Sequence, residues 1–242
     1  MNSVYTILSD FCNKNNIEIT EEKLVGFERL CDFLLEYNSH TNLTAIRDSE
    51  GVAIKHFADS VCALAYDLIP ENAKIIDIGC GAGFPGLPLL HMRHDLDMTF
   101  LDSTAKKLKF TLLATEKLGI SANFLPYRAE EVAIKREYRE QFDIAVSRAV
   151  ASLPVLLEIS LPFVKVGGTF IAYKAIGAAE ELSESKNALL RLGGKFITIH
   201  EIELPKSSQG EILHHSLVII KKIKPTPDIF PRRYAQIVKK PL

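Results

Sequence analysis

From Lys74 onward the chain alternates short apolar runs with helical patterns, and this rhythm limits the possible folds more than any other feature. "AKIIDIG", "DMTFLD", "SANFLPY", "FDIAVSRA" and "GGTFIAYK" read as strands. "FPGLPLLHMR", "STAKKLKFTLLATEKLG", "AEEVAIKRE" and "SLPVLLEISLPFVK" read as the helices between them, and "AAEELSESKNALLRLG" as a helix after the fifth strand. Parallel neighbours need such crossovers, so the repeat implies an α/β fold with a mainly parallel sheet covered on both faces. The rhythm then breaks. "KFITIHEIELP" and "EILHHSLVIIKK" are strand-like runs joined by "KSSQG", too short for a crossover helix, so an antiparallel hairpin should close the sheet.

Residues 1–70 read as a helical subdomain ahead of a core over 71–223, with a basic tail over 224–242. Apolar residues recur at helical spacing at Val4, Leu8 and Phe11, and again from Leu24 through Phe27, Leu30 and Leu34 to Tyr37. Thr20, followed by Glu21 and Glu22, supplies a capping hydroxyl and first-turn acids to the second helix. A third helix is expected over roughly Glu50 to Leu68, stopping before Pro70. No run has the roughly 18 to 20 apolar residues of a membrane span, and Met1 to Asp10 lacks signal-peptide character, so a cytoplasmic location without membrane contact is expected. Cys12, Cys31, Cys62 and Cys80 have no CxxC spacing, and neither His91/His94 nor His214/His215 has further ligands at metal spacing. The four thiols are read as packing residues, the histidines as ordinary ones, and no metal is expected.

The net charge of −1 conceals an uneven distribution: residues 221–242 carry seven Lys or Arg against one acid, Asp228. Such a tail is either a solvated terminus or a set of phosphate contacts.

The loop "IIDIGCGAGFPGLPLL" bears on the ligand. Gly81 to Gly86 fits the GxGxxG dinucleotide pattern. A pyrophosphate, however, needs backbone N–H donors at the helix start, where Pro85 and Pro88 remove them. Asp77 places a carboxylate near the end of the first strand, suited to a cation. Asp102 ends the second strand, where an acid can accept ribose hydroxyls.

Acid, glycine loop, second acid and a reversed last strand together resemble the class I S-adenosylmethionine-dependent methyltransferases, which have a Rossmann-like seven-stranded sheet with a closing antiparallel hairpin. "NLTAIRD", "KHFADS", "DIGCGAGFPGLPL", "LDSTAKKLKF", "YRAEE", "SRAVASL", "AYK" and "FPRRYAQIVKKPL" occur in that order. Over residues 25–242 they are similar to the bacterial 16S ribosomal RNA guanine-N7 methyltransferases, the glucose-inhibited division protein B family. Two departures stand out: Ala175 after Lys174 where the family usually has Gly, and Tyr234, Ala235, Gln236 and Ile237 where its tail usually has Gly and Pro.

The resemblance implies S-adenosyl-L-methionine as cofactor and 16S ribosomal RNA, or the small ribosomal subunit, as partner; a monomer is expected. Candidate cofactor residues are Asp77, Gly79, Gly81, Gly83, Phe84, Asp102, Ser103, Ala129, Glu130 and Arg148. Arg148, Lys174, Arg232, Arg233, Lys239 and Lys240 are candidate RNA contacts, with Lys106, Lys107 and Lys109 as further phosphate contacts. Asn42, His56, Asp59 and Ser60 either cover the pocket and shape the cleft or act as capping groups. No general base is expected, since guanine N7 is a bare acceptor lone pair. A dinucleotide-dependent oxidoreductase and a noncatalytic adenosine-nucleotide module tethered to RNA are the alternatives.

Overall fold

The apolar runs become strands of one sheet in the computed structural model, which describes residues 3–175 and 177–242. These are β1 (Lys74–Ile78), β2 (Asp97–Leu101), β3 (Asn123–Leu125), β4 (Phe142–Arg148), β5 (Val164–Lys174), β6 (Gly194–Glu203) and β7 (His214–Lys222). Their order is β3-β2-β1-β4-β5-β7-β6. The first five pair in parallel. β7 lies between β5 and β6 and runs antiparallel to both, so it alone is reversed. The strand order turns back between β1 and β4, which opens a crevice at the carboxyl ends of the strands. Because β7 is reversed, its first residues, His214 and His215, also lie at that end.

Strand alternation divides the core in two. Ile75, Ile144, Ile171 and Ile219 face a cluster built with the N-terminal helices, whereas Ile76, Ala145, Ala172 and Val218 face a second cluster on the other side. The first cluster includes α1 (Val4–Lys14), capped by Ser3, and α2 (Glu21–Thr41), whose Lys23 N–H donates to the Thr20 hydroxyl at 3.4 Å. α5 (Gly86–Met92) and α6 (Ala105–Leu118) complete it. The second is covered by α7 (Ala129–Val132), α8 (Leu153–Ser160), α9 (Ala178–Glu184), α10 (Lys186–Leu192) and α11 (Tyr234–Lys239).

Four expected helices are shorter or broken, and the one read over 129–137 keeps only α7 (Ala129–Val132) before turning at Ala133. The stretch from residue 50 becomes α3 (Ser49–Val52), a π-helical turn (Ala53–Ala58), α4 (Asp59–Val61) and a 3-10 turn (Cys62–Tyr66). This keeps Ile54, Phe57 and Ala58 buried while His56 and Asp59 reach the end of β4. The helix expected over 152–165 ends at Ser160, and a 3-10 turn holding Pro162 leads into β5. The helix over 178–193 breaks at Ser185, whose hydroxyl bonds back to the Glu181 carbonyl. All four cysteines are buried and unpaired by disulfides, and among the described residues no helix is long and apolar enough to cross a membrane.

The tail is packed along the body. Lys222 is fully buried and its ammonium donates to the Leu161 carbonyl and the Thr226 hydroxyl, 3.1 Å from Glu140. Arg139 donates to the carbonyls of Thr226 (2.7 Å) and Phe230 (2.9 Å). Phe230 and Ile237 are buried in the second cluster, whereas Ile229 is 70% exposed. Phe230→Ala is therefore expected to destabilise the protein by about 3–5 kcal/mol in urea denaturation, and Ile229→Ala by no more than about 0.5 kcal/mol.

Candidate active site

The glycine loop follows β1 because each of its positions needs a different freedom. Gly79 has φ +67°, and a Cβ there would meet the Val150 side chain at 2.5 Å. Gly86 opens α5 against the sheet, where a Cβ would lie 2.7 Å from both the Asp77 carboxylate and the Phe100 ring. The Gly79 N–H donates to the Leu101 carbonyl (2.8 Å). Asp102 then fixes the loop: one carboxylate oxygen accepts the Gly81 N–H at 2.9 Å and the other the Thr104 N–H at 2.7 Å.

Above this loop lies a cavity of ≈ 300 Å³, the size of a small-ligand pocket. Gly79, Asp102, Ser103, Ala129 and Glu130 line it, as the sequence anticipates for a cofactor site. Val150, Tyr127, Lys107 and Tyr234 line it as well. Tyr234 comes from the tail, which the charge pattern alone reads as a solvated terminus or a set of phosphate contacts. Docking of Phe230 and Ile237 carries the tail to the cavity, and a linear reading of charge does not reveal that.

Asp77, Gly81 and Gly83 do not line this cavity. Asp77 is fully buried beneath the loop, where one oxygen accepts the Gly86 N–H at 2.8 Å and the other has no partner. Burial outweighs that bond and pushes its carboxyl up to about 7. The expected direct contact between Asp77 and a cationic ligand is therefore replaced by support of the loop. Phe84 is displaced too: it is buried, stacked on His56 with centroids 4.4 Å apart, and lies under the Arg148 guanidinium at 5.3 Å.

His56 and Arg148 line a second cleft of ≈ 360 Å³, which shares the lining residue Ala149 with the first. Arg148, at the end of β4, donates to one oxygen of Asp59 at 2.6 Å, to the Lys55 carbonyl at 2.9 Å and to His56 Nδ1 at 3.1 Å. His215 Nδ1 donates to the other Asp59 oxygen at 2.8 Å. Burial alone would raise the Asp59 carboxyl, but the His215 and Arg148 donors hold it below the ordinary carboxylate range. Burial, followed by the charge of Arg148, lowers His56 to about 3. A guanidinium can only donate, so Nδ1 of this neutral ring is the acceptor and Nε2 carries the proton toward the Thr44 hydroxyl, 3.0 Å away.

Two of the expected RNA contacts are already engaged. The Lys174 ammonium is 2.8 Å from Glu181 and 3.0 Å from the Ala151 carbonyl, which braces the loop after β4. Arg232 forms a two-pronged pair with fully buried Glu158, at 2.8 and 2.6 Å. Both serve structure because a buried or half-buried carboxylate needs a partner. Arg233, Lys239 and Lys240 are exposed, as are Lys106 and Lys109. His215, read as an ordinary histidine, is drawn into the cleft by the reversal of β7.

A Rossmann-like sheet with one reversed strand, a glycine loop clamped by the acid after β2, and a ligand-sized cavity at the strand ends define a class I S-adenosylmethionine-dependent methyltransferase. The same architecture is found in a methyltransferase of that class from Methanosarcina mazei, with TM-score 0.51 and 15% identity over 65% of this chain and 96% of that one. It is also found in P. horikoshii TYW2, solved in complex with MeSAdo, with TM-score 0.51 and 13% identity over 65% of this chain and 60% of that one. Residues 23–209 match the family described as GidB, rRNA small subunit methyltransferase G, and the chain belongs to that family. It is 44% identical to the ribosomal RNA small subunit methyltransferase G of Clostridium perfringens (strain 13 / Type A), and 44% identical to that of Alkaliphilus metalliredigens, covering 98% of each chain in both cases.

The state of Asp77 sets a pH dependence. The folded protein keeps a proton on this group up to about 7, where the unfolded chain has already lost it. Its contribution to stability is thus fully present below the ordinary carboxylate range and is lost as pH rises through about 7. Asp77→Asn cannot titrate, so its stability relative to wild type should improve between about pH 5 and about pH 8, by at most about 1.4 kcal/mol per pH unit. Urea denaturation of both proteins across that range measures the difference.

Proposed function

We propose that this protein transfers the methyl group of S-adenosyl-L-methionine to N7 of a guanine in 16S ribosomal RNA. The observation that carries the reading is that two cavities share the lining residue Ala149, one bordered by Gly79 and Asp102, the other by Arg148 and its partners. The residues of the first chamber fit the cofactor: the Asp102 carboxylate borders it with acceptor capacity for ribose hydroxyls, and the backbone at Gly79 leaves room for close approach. The cofactor, when bound, supplies an electrophilic methyl group.

The second chamber orients the base. Arg148, fixed by Asp59, Lys55 and His56, retains donors for guanine O6 or a phosphate. Holding N7 in line with the methyl is the main catalytic contribution, because no proton leaves N7. In RNA the target has to be a looped or flipped nucleotide, since the A-form major groove is too narrow for side chains. Arg233, Lys239, Lys240, Lys106 and Lys109 are exposed cations suited to phosphates. Membership of an rRNA methyltransferase family supports this choice of substrate.

One observation favours a second reading. His215, with Nδ1–H bound to Asp59, leaves Nε2 able to accept a proton, as attack by an exocyclic amine would require. Transfer of tritiated methyl to ribosomal RNA or small subunits, followed by nucleoside analysis, tests the proposal. Substitution of 7-deazaguanosine at the target, which replaces the nucleophilic nitrogen with carbon, is expected to abolish transfer while RNA binding persists. Continued methylation of the deaza substrate would move the reaction to another atom and overturn the N7 reading.

A further inference from the structure

The C-terminal helix contributes an aromatic wall to the cofactor chamber. Tyr234 is half-buried, packs against the second core cluster and lines the chamber together with Ala129, Glu130 and Ile159. The Arg128 guanidinium lies 5.8 Å from the centre of its ring, a cation–π contact that holds the ring at the rim. Phe230 and Ile237, both buried, and the Arg232–Glu158 pair fix the segment on either side. The ring is thus positioned by packing and does not sample freely from a mobile end.

The ligand's orientation follows from the two chambers. The methyl group must point to the cleft that shares Ala149, and the ribose hydroxyls fall to Asp102. The adenine then falls to the remaining lining of the cavity, which includes Tyr127, Ala129, Glu130, Ile159 and Tyr234.

We propose that Tyr234 is a cofactor-contacting residue that stacks on the adenine. This rests on the reading of S-adenosyl-L-methionine as cofactor and extends it to a segment that otherwise serves as a basic tail. Since Arg233 and Lys239 flank the same helical turns and are exposed, one short helix faces the cofactor on one side and presents cations to RNA on the other.

Calorimetric titration with S-adenosylhomocysteine and with adenosine tests the contact. Tyr234→Ala is expected to weaken both ligands about tenfold, the scale of one lost base–aromatic stack, while Tyr234→Phe and the exposed helix neighbour Val238→Ala bind as wild type does. Thermal melts without ligand separate this loss from unfolding. The chain contains no tryptophan, so Tyr234→Trp introduces a single reporter whose fluorescence should be quenched by S-adenosylhomocysteine. Equal affinity of wild type and Tyr234→Ala, or a Trp emission that ignores saturating ligand, overturns the contact. Failure of wild type itself to bind S-adenosylhomocysteine overturns the cofactor reading and the contact with it.

Discussion

One buried carboxylate, Asp59, joins the N-terminal helices to the sheet. Its two oxygens take donors from strands at different places in the order, Arg148 at the end of β4 and His215 at the start of β7. A carboxylate 2% exposed is tolerated only when both oxygens are satisfied, and removal of either partner would leave charge stranded in a poorly solvated space. The π-helical turn just before Asp59 brings His56 to the same guanidinium, and the Tyr173 hydroxyl donates to the carbonyl of neighbouring Ser60. The helical layer is therefore registered on the sheet at the cleft beside Arg148.

A second carboxylate organises the other chamber in the same manner. Asp102 is held by two backbone N–H groups and in turn fixes the curvature of the glycine loop. Asp77 acts below it, receiving the first N–H of α5 in a space too tight for any side chain at position 86. The two acids, so alike in the sequence, have different duties: one borders the cavity and the other underlies it.

Much of this was legible in the residues. Alternating apolar runs placed all seven strands and the closing hairpin, because strand periodicity reports directly on which face is buried. The Thr20 cap and the burial of all four thiols were likewise readable. Depth and long-range pairing were not. Nothing around Asp77 shows that it lies under the loop, and Arg232 and its partner Glu158 are far apart in the chain yet form a buried two-pronged pair. Lys174 was counted among surface cations for the same reason, although Glu181 claims it. Local pattern also missed the π-helical turn, whose value lies in distant contacts with Arg148, and the docked tail, whose charges drew attention from Phe230 and Ile237.

The reversed strand has a consequence for the order in which the molecule can be assembled. The five parallel strands and the glycine loop come first during synthesis, and local pairing of β1 with β2 and β4 can proceed as they emerge. His215 and Tyr234, one bordering each chamber, belong to the strand that runs backward and the helix behind it. Neither chamber can acquire its full wall until those late segments have left the ribosome and folded back across the sheet. An incomplete translation product thus carries the loop that announces this fold, but not the late walls that complete its two cavities.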